Sequence, residues 1–324
     1  MKQSIVFACL GGFVVGAVAQ SSITISGNLQ VAVARGNGGT TPIDGATANR
    51  WALNDQSSVI DFSGKEDLGD GLYAGFQLRT FAAVDTGTSS APFWASRSVI
   101  KIGGNWGELY AGRSLTPASF MVLFADPWYW DGSAAQVGWQ IQQANYTSTA
   151  YLRTDNTVGY SSPNIKGFSI ALAGSPGEGA KGRDYGGSVN YKDGPIWLGL
   201  GYDRSKGFDG TGPYDHLATI AGAYDFGVVR PMFSYSRSEV AGASYTSYSV
   251  AMTAPVGLGL VRAAYSHLND WNTATVAQEG LRKVSVGYQY YLSKRTNVFA
   301  SISSAKGQTA SANNTTEVGV GHSF

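Results

Sequence analysis

Residues 283–292 read Lys-Val-Ser-Val-Gly-Tyr-Gln-Tyr-Tyr-Leu, with an apolar or aromatic side chain at every second position. A period of two is typical of a β-strand with one apolar and one polar face, because successive side chains of a strand point to opposite sides. The same alternation recurs along most of the chain, from Ile23 to the terminal Phe324. Amphipathic segments of helical period are scarce, so the chain is predicted to be all-β.

Sixteen alternating segments can be delimited, and most have the ~9–11 residues that a tilted strand needs to cross a membrane. They are 22–35, 57–64, 71–82, 94–103, 107–113, 154–162, 167–174, 185–193, 195–203, 215–226, 227–238, 243–255, 257–268, 281–292, 294–304 and 314–324. Short turns alternate with longer loops rich in Gly, Ser, Thr and Asn. An even strand number with this alternation predicts an antiparallel outer-membrane β-barrel. A secreted β-sandwich would also alternate, but the aromatic residues near strand ends favour a barrel in lipid.

The longest connection, 114–153, differs from the other loops in its aromatic content. A loop of this length is usually functional. Its aromatic side chains need a surface to pack against, and the barrel interior is the surface available to them. The loop is therefore predicted to fold into the lumen. Its large aromatic residues are Phe120, Phe124, Trp128, Trp130 and Trp139.

The composition excludes several classes of protein. Charged residues make up 14% of the 324 residues and aromatic residues 12%, whereas a disordered chain is rich in charge and poor in aromatics. The 23 basic and 22 acidic residues nearly cancel, which argues against a nucleic-acid partner. No cluster of His and Cys predicts a metal site, and no motif predicts a cofactor.

The N-terminus predicts export. Lys2 precedes an apolar run, and Ala17-Val18-Ala19 is typical of a signal-peptide cleavage site. Residues 1–19 are therefore expected to be removed, which leaves 20–324 as the barrel. The single cysteine, Cys9, leaves with the signal peptide, so neither a disulfide nor a thiol nucleophile is expected.

Four sequence motifs in this order and spacing resemble the Gram-negative general porins, and specifically their betaproteobacterial group. They are 64–72 (Gly-Lys-Glu-Asp-Leu-Gly-Asp-Gly-Leu), 110–113 (Tyr-Ala-Gly-Arg), 156–163 (Asn-Thr-Val-Gly-Tyr-Ser-Ser-Pro) and 291–296 (Tyr-Leu-Ser-Lys-Arg-Thr). The resemblance implies a sixteen-stranded antiparallel barrel, a homotrimer in outer-membrane lipid, and a third loop inside the lumen. It also implies passive diffusion of ions and small hydrophilic solutes without a cofactor. Phe324 resembles the signal read by the outer-membrane assembly machinery.

A porin of this kind works through a narrow constriction with basic side chains on the wall and acidic ones on the inserted loop. Strand parity puts Arg79, Arg97 and Lys101 on the lumenal side, since a basic residue facing lipid near mid-membrane costs ~2–4 kcal/mol. Arg113 stands where the family places a constriction arginine, although its parity is that of Leu109. Lys283 is lumenal by the same parity, with a solvated rim position as the alternative.

The acidic side of the constriction is assigned to Asp126 and Asp131 on the long loop, where each precedes Pro or Gly. Turn formation is the alternative role for both, because Asp is common in such turns. The predicted lumen lining comprises Asn28, Gln30, Tyr73, Gln77 and Tyr110. Compared with the family, Val59 replaces a usual arginine, Arg79 a frequent glutamate and Gln30 an aspartate, so the basic wall is rearranged.

Besides an adhesin or structural surface barrel, which the modest loops disfavour, two other functions compete with the general diffusion porin. One is a substrate-preferring channel, in which Tyr73, Tyr110, Trp197 and the loop tryptophans contact an aromatic or sugar-like anionic solute. The other is a barrel enzyme built around one of the three histidines, His216, His267 and His322. Asp215 and His216 are adjacent in a strand and point to opposite faces, so they form no dyad. The chain is predicted not to be an enzyme.

Overall fold

The computed structural model describes residues 22–39, 49–136, 152–177, 183–205, 215–240, 243–269, 271–272, 277–278, 280–307 and 311–324. These residues form twenty strands and one α-helix. In the described part of the chain, no helix has the length and apolar content to cross a membrane.

The helix α1 spans Pro117–Phe124. The strands are β1 (Ser22–Gly36), β2 (Trp51–Asp55), β3 (Val59–Gly69), β4 (Leu72–Ala83), β5 (Thr88–Ser89), β6 (Arg97–Gly104), β7 (Gly107–Leu115), β8 (Arg153–Ser161), β9 (Phe168–Ser175), β10 (Asp184–Asp193), β11 (Ile196–Ser205), β12 (Asp215–Tyr224), β13 (Arg230–Val240), β14 (Ala243–Val256), β15 (Gly259–Leu268), β16 (Trp271–Asn272), β17 (Ala277–Gln278), β18 (Leu281–Tyr291), β19 (Thr296–Gly307) and β20 (Asn313–Ser323).

Sixteen of these strands are long, and each pairs antiparallel with the next long strand along the chain. The ring closes because β1 pairs with β3 on one side and with β20 on the other, in the register Asn28↔Ser323 to Gly36↔Thr315. Each of the sixteen long strands overlaps one of the sixteen segments predicted from the sequence. The prediction of a closed sixteen-stranded antiparallel barrel is confirmed.

The second strand of the barrel departs from its predicted limits, 57–64. The structure has β2 and β3 in its place, paired with the two halves of β1 and separated by a short interruption. Ser57 has a positive φ of 58° there. The Ser58 hydroxyl accepts the N–H of Gln30 at 2.8 Å and donates to the Gln30 carbonyl at 3.1 Å. The Ser58 side chain thus satisfies the Gln30 N–H at the interruption, while the Gln30 carbonyl also accepts the N–H of Gln56 at 3.0 Å.

The two faces of the barrel have opposite polarity. Outward-facing side chains are large and apolar, and Ile100 and Ile302 remain 68% and 60% exposed. Inward-facing positions on the same strands are small or polar and are buried, as at Ser249 and Ser303. An apolar exterior around a polar interior is the arrangement of a transmembrane barrel, because the outside contacts lipid.

Candidate functional site

The first part of the long loop lies inside the barrel, where α1 packs on the inward face of β11. Pro117 is at the first helical turn, where a missing N–H costs nothing. A Cβ on Gly201 would lie 2.5 Å from the Cα of Ala118, and one on Gly199 would lie 2.3 Å from the sulfur of Met121. Glycine at these two positions therefore lets the helix approach the wall.

An inward carboxylate fixes the start of α1. The N–H of Ala118 donates to Oδ2 of Asp203 at 3.0 Å. A carboxylate at the N-terminus of a helix satisfies a free donor and complements the helix dipole. Leu217 on β12 lies in the buried apolar cluster that includes Ala118 and Val122. The inward surface of β11 and β12 is thus a dry packing surface, with Asp203 as its polar anchor.

Asp126 organises the turn that follows α1. Its carboxylate accepts backbone N–H groups from Trp128 at 3.0 Å, Trp130 at 3.2 Å and Gln136 at 2.8 Å. Only 1% of Asp126 is exposed, and burial raises the pKa of its carboxyl above the ordinary value. The assignment of Asp126 to a water-facing acidic constriction is therefore corrected, and the turn-forming alternative describes it.

The far end of the inserted segment is attached to the opposite wall. The Oγ of Ser133 donates to Oε2 of Glu317 at 2.8 Å, and Nζ of Lys283 donates to the carbonyl of Ala135. Further bonds join Trp128 Nε1 to Ser301 Oγ at 3.4 Å and Gln136 Nε2 to Ser285 Oγ at 2.9 Å. Residues 117–136 thus cross the interior from β11 and β12 to β18–β20. Residues 137–151, with Trp139, lie outside the described residues.

A third part of the inner wall, formed by β3, β4 and β6, carries a row of charged residues that are register partners of one another. Asp61 on β3 is the partner of Arg79 on β4, which in turn is the partner of Arg97 on β6. Nε of Arg79 lies 2.7 Å from Oδ2 of Asp61, and Nε2 of Gln77 donates to the same oxygen at 2.5 Å. Arg97 lies over the ring of Tyr110, with its Cζ 5.5 Å from the ring centroid. Asp61 was not predicted as a site residue from the sequence, and its carboxylate neutralises Arg79.

A second polar cluster lies on the same wall, nearer the short turns. Nζ of Lys101 is 3.0 Å from Oε2 of Glu108, which also accepts the Tyr73 hydroxyl at 2.8 Å. Lys65 lies 4.1 Å from the centre of the Tyr73 ring. Lys101 is thus inward-facing, as its parity predicts, and its charge is matched by Glu108.

Arg113 keeps the parity of Leu109, because its register partner is the outward-facing Ser98. Arg113 lies within an irregularity in the pairing of β7 with β8, where the register shifts between Gly112 and Ser114. Nε of Arg113 donates to the Ala95 carbonyl at 2.7 Å, and Nη1 of Arg113 lies 2.6 Å from Oδ1 of Asp155. Arg113 therefore links the loop before β6 to β8. The structure does not support the prediction that Arg113 lines the lumenal wall.

Arg153 is a basic residue that the sequence analysis missed. Its Nε donates to the carbonyl of Ser96 at 3.1 Å, and its guanidinium lies 5.4 Å from the centre of the Phe81 ring. Phe81 follows Arg79 on the inward face of β4, so Arg153 adds a cation to the same wall. Its place at the end of the long loop concealed it from strand parity.

Asp131 borders a cavity of about 240 Å³ between the inserted segment and the wall formed by β1, β15 and β18–β20. It accepts a hydrogen bond from Nε2 of Gln30 at 3.2 Å. Asn28 and Arg262 line the same cavity. Burial, and secondarily the charge of Asp126, raises the pKa of Asp131 well above its ordinary value. Asp131 nevertheless keeps part of its surface exposed, whereas Asp126 is fully buried, so Asp131 fits a solute-facing acid better than Asp126 does.

The remaining sequence-predicted residues lie apart from this interior wall. Trp197 is 7% exposed and packs against Met121 and Phe124, so it supports α1 and leaves no surface for a solute.

The histidines lie on outward rows. His216 is hydrogen-bonded to the Tyr202 hydroxyl at 2.7 Å, and His322 to the Thr296 hydroxyl at 2.9 Å. Phe324 directly follows β20, is partly exposed, and exchanges both backbone hydrogen bonds with Gly27 on β1.

Comparison with known proteins agrees with this architecture. A family model described as Gram-negative porin matches residues 7–310. Outer membrane porin protein 32 of Delftia acidovorans is 29% identical, with 96% of this chain and 91% of that protein covered. Major outer membrane protein P.IB of Neisseria lactamica is 26% identical over the full length of both. The solved structure described as an anion-selective porin from Comamonas acidovorans superposes with a TM-score of 0.78 at 26% identity, covering 94% of this chain and all of that one. The chain therefore belongs to the Gram-negative porin family of the bacterial outer membrane.

Proposed function

We propose that ions and small hydrophilic solutes diffuse through the part of the barrel interior lined by β1, β3, β4, β6 and β7. The observation that carries this proposal is the unequal covering of the inner wall. The inserted segment packs on β11 and β12 and is attached to β18–β20, whereas the Asp61–Arg79–Arg97 row keeps a half-exposed guanidinium at Arg79. An uncovered charged wall facing a fixed loop provides a transverse field for permeating ions.

The channel is proposed to prefer anions. Arg79, Arg97 and Arg153 place three guanidinium groups on one side of the interior, and Asp61 offsets one of them. The relative from Comamonas acidovorans is described as anion-selective, which supports the same sign. Lys101 contributes less to this preference because Glu108 neutralises it. Asp131 is the acidic residue proposed to face the solute path.

Other properties of the protein follow from its family and remain part of the proposal. The functional unit is a homotrimer, residues 1–19 are a removable signal peptide, and Phe324 is read during assembly into the outer membrane. No catalysed reaction is proposed, because the three histidines lie on outward rows. The charged side chains of the interior are proposed to steer ions electrostatically. The substrate-preferring alternative loses its aromatic contact surface at Trp197, which packs against α1.

Single-channel recording of the purified protein in a planar lipid bilayer, under a KCl gradient, tests this proposal. We expect stepwise insertions that close in thirds, with a reversal potential on the anion-preferring side. A silent but correctly folded barrel would contradict the diffusion channel. A cation-preferring reversal potential would contradict the proposed dominance of the arginines, while leaving the channel itself in place.

A further inference from the structure

The cavity beside Asp131 holds two opposite charges that do not pair. Asp131 lies on the inserted segment, and Arg262 lies on the inward face of β15. The two charges attract each other, yet among the described residues no ion pair joins them. A glutamine holds each charge instead, because Nε2 of Gln30 donates to Oδ2 of Asp131 at 3.2 Å and Nη2 of Arg262 donates to Oε1 of Gln289. The cavity therefore lies between a carboxylate and a guanidinium.

Two further polar atoms of the cavity lining have no hydrogen-bond partner among the described residues. They are Nε of Arg262, which is a donor, and Oδ1 of Asn297, which is an acceptor. Asn297 on β19 is only 8% exposed, and a buried polar atom without a partner destabilises the fold. Gly321 is the register partner of Asn297, and a Cβ there would lie 3.0 Å from Nδ2 of Asn297. The missing side chain leaves room for the amide to turn toward the cavity.

The rest of the lining sets the size and polarity of a fitting solute. Phe299 and Tyr291 face inward and offer aromatic surface to the same cavity. The exposed cationic turn 294–295 also lines it, so the cavity reaches the end of the barrel at which the short turns lie. Its volume of about 240 Å³ is below the ~300–1,000 Å³ of pockets for drug-sized ligands. The cavity is therefore suited to one small solute.

The two separated charges define the chemistry of that solute. A cation beside Asp131 would favour its charged form, because burial raises the pKa of this carboxyl well above the ordinary value. A carboxylate beside Arg262 would accept charge-assisted hydrogen bonds from the guanidinium. Glu317 also lines the cavity, but its carboxylate already accepts the Ser133 hydroxyl. A solute with one ammonium and one carboxylate thus matches the cavity better than a simple anion does.

We propose that this cavity binds a free α-amino acid with an apolar side chain in its zwitterionic form. In this arrangement the ammonium contacts Asp131 and Oδ1 of Asn297, and the carboxylate contacts Arg262. The apolar side chain packs against Phe299 and Tyr291. The site lies apart from the arginines of the proposed conduction wall, and it rests on the proposed function only in that small solutes must enter the barrel.

The test is isothermal titration calorimetry of the full, folded protein in detergent with L-leucine. Arg262→Gln should bind L-leucine at least about tenfold more weakly, because a hydrogen bond between charged groups contributes at least that factor. Arg230→Gln is the matched control. Arg230 and Arg262 are both register partners of Thr253, so they share one face and one height on the wall, but Arg230 does not line the cavity. The control should leave the affinity unchanged.

Two derivatives of leucine test the need for each charge of the solute. N-acetyl-L-leucine lacks the ammonium and L-leucinamide lacks the carboxylate. Each should bind at least about tenfold more weakly than L-leucine. If N-acetyl-L-leucine binds as tightly as L-leucine, the cavity is a simple anion site and the proposal is overturned. If L-leucinamide does so, the cavity is a simple cation site and the proposal is likewise overturned.

The proposal also fails if the wild-type protein shows no saturable binding of L-leucine, or if Arg262→Gln and Arg230→Gln weaken binding equally. If Arg262→Gln does not fold, Asn297→Ala should bind L-leucine about tenfold more weakly, and an unchanged affinity would overturn the proposal. Single-channel conductance in KCl is recorded for the same preparations. A conducting barrel that does not bind L-leucine contradicts this inference alone, whereas a silent barrel that binds L-leucine contradicts only the diffusion channel.

Discussion

Lys283 and Arg79 both lie on inward rows of the barrel, yet 1% of Lys283 is exposed and 41% of the Arg79 side chain is. Lys283 donates to the Ala135 carbonyl and attracts the nearby carboxylates of Asp126 and Glu317. Arg79 pairs with Asp61 on an uncovered wall. Strand parity is the same in both cases. The difference lies in the inserted segment, which covers Lys283 and leaves Arg79 uncovered. Lys283 therefore holds the loop, whereas Arg79 faces the solute.

The largest effect is expected from removing the covered cation. Lys283→Met would leave the buried carboxylates of Asp126 and Glu317 without their cation, and breaking such a buried charge group costs ~3–5 kcal/mol. The measurement is the free energy of unfolding of the barrel in lipid vesicles. Lys192→Met, at an exposed inward position next to a short turn, is the control and should be near neutral. Equal stability of the two variants would contradict the anchoring role of Lys283.

A steric change tests the other attachment of the segment. In Gly201→Val, the new Cβ would lie 2.5 Å from the Cα of Ala118, which is too close for both to keep their places. Overpacking should therefore destabilise the fold by ~1–3 kcal/mol and displace α1. Single-channel conductance should change as well, since the segment narrows the lumen. Gly187→Val on the neighbouring strand points outward and meets chiefly the flexible end of Leu172. An unchanged conductance for Gly201→Val would show that α1 does not shape the channel.

Selectivity should respond to the uncovered charge row. Asp61→Asn removes the partner of Arg79 and should increase the preference for anions, whereas Arg97→Gln should decrease it. A unit charge acting across about 4 Å of water is worth ~1 kcal/mol, or roughly fivefold in the permeability ratio. The reversal potential in a KCl gradient measures both variants. If Asp61→Asn and Arg97→Gln shift the reversal potential in the same direction, the proposed role of this charge row is wrong.

The smallest effect is a pH dependence of the reversal potential that originates in Asp131. Because burial raises the pKa of Asp131 well above its ordinary value, its negative charge is lost as the pH falls through that raised value. Anion preference should therefore grow on acidification, starting at a higher pH than an exposed carboxyl would give. The same shift means that Asp131 stabilises the fold below the ordinary carboxyl pKa, and that this contribution is lost as the pH rises through the raised pKa. Asp131→Asn should abolish this step in the reversal potential, and persistence of the step would assign it to another group.

The sequence predicts the strands well because a period of two is a local property. All sixteen long strands follow from alternation, and so does the inward parity of Arg79, Arg97, Lys101 and Lys283. The helix α1 was not predicted. Pro117 and the apolar run 120–125 were the available signal, but a helix that is apolar on nearly all sides shows no amphipathic period.

Pairing across strands could not be read from the sequence. The Asp61–Arg79 contact depends on the register of β3 with β4, where a slip of one residue would turn every side chain to the other face. The interruption at Ser57 shifts the pairing with β1 by one residue between β2 and β3, and no local sequence pattern predicts it. Asp126 and Asp131 were equivalent in the sequence. They differ because tertiary folding brings three backbone N–H groups to the carboxylate of Asp126 and leaves Asp131 beside a cavity.

The most direct test of the unequal covering is the chemical accessibility of single cysteines on the two inner walls. A chain that starts at Gln20 contains no other cysteine. Gln77→Cys lies on the uncovered wall beside Arg79, and Ser266→Cys lies at a fully buried inward position on β15. Each variant is exposed to a small water-soluble thiol reagent while single-channel conductance is recorded. We expect rapid labelling and reduced conductance for Gln77→Cys, whereas Ser266→Cys should stay unreactive until the barrel unfolds. Equal labelling of both positions, or block only through Ser266→Cys, would contradict it.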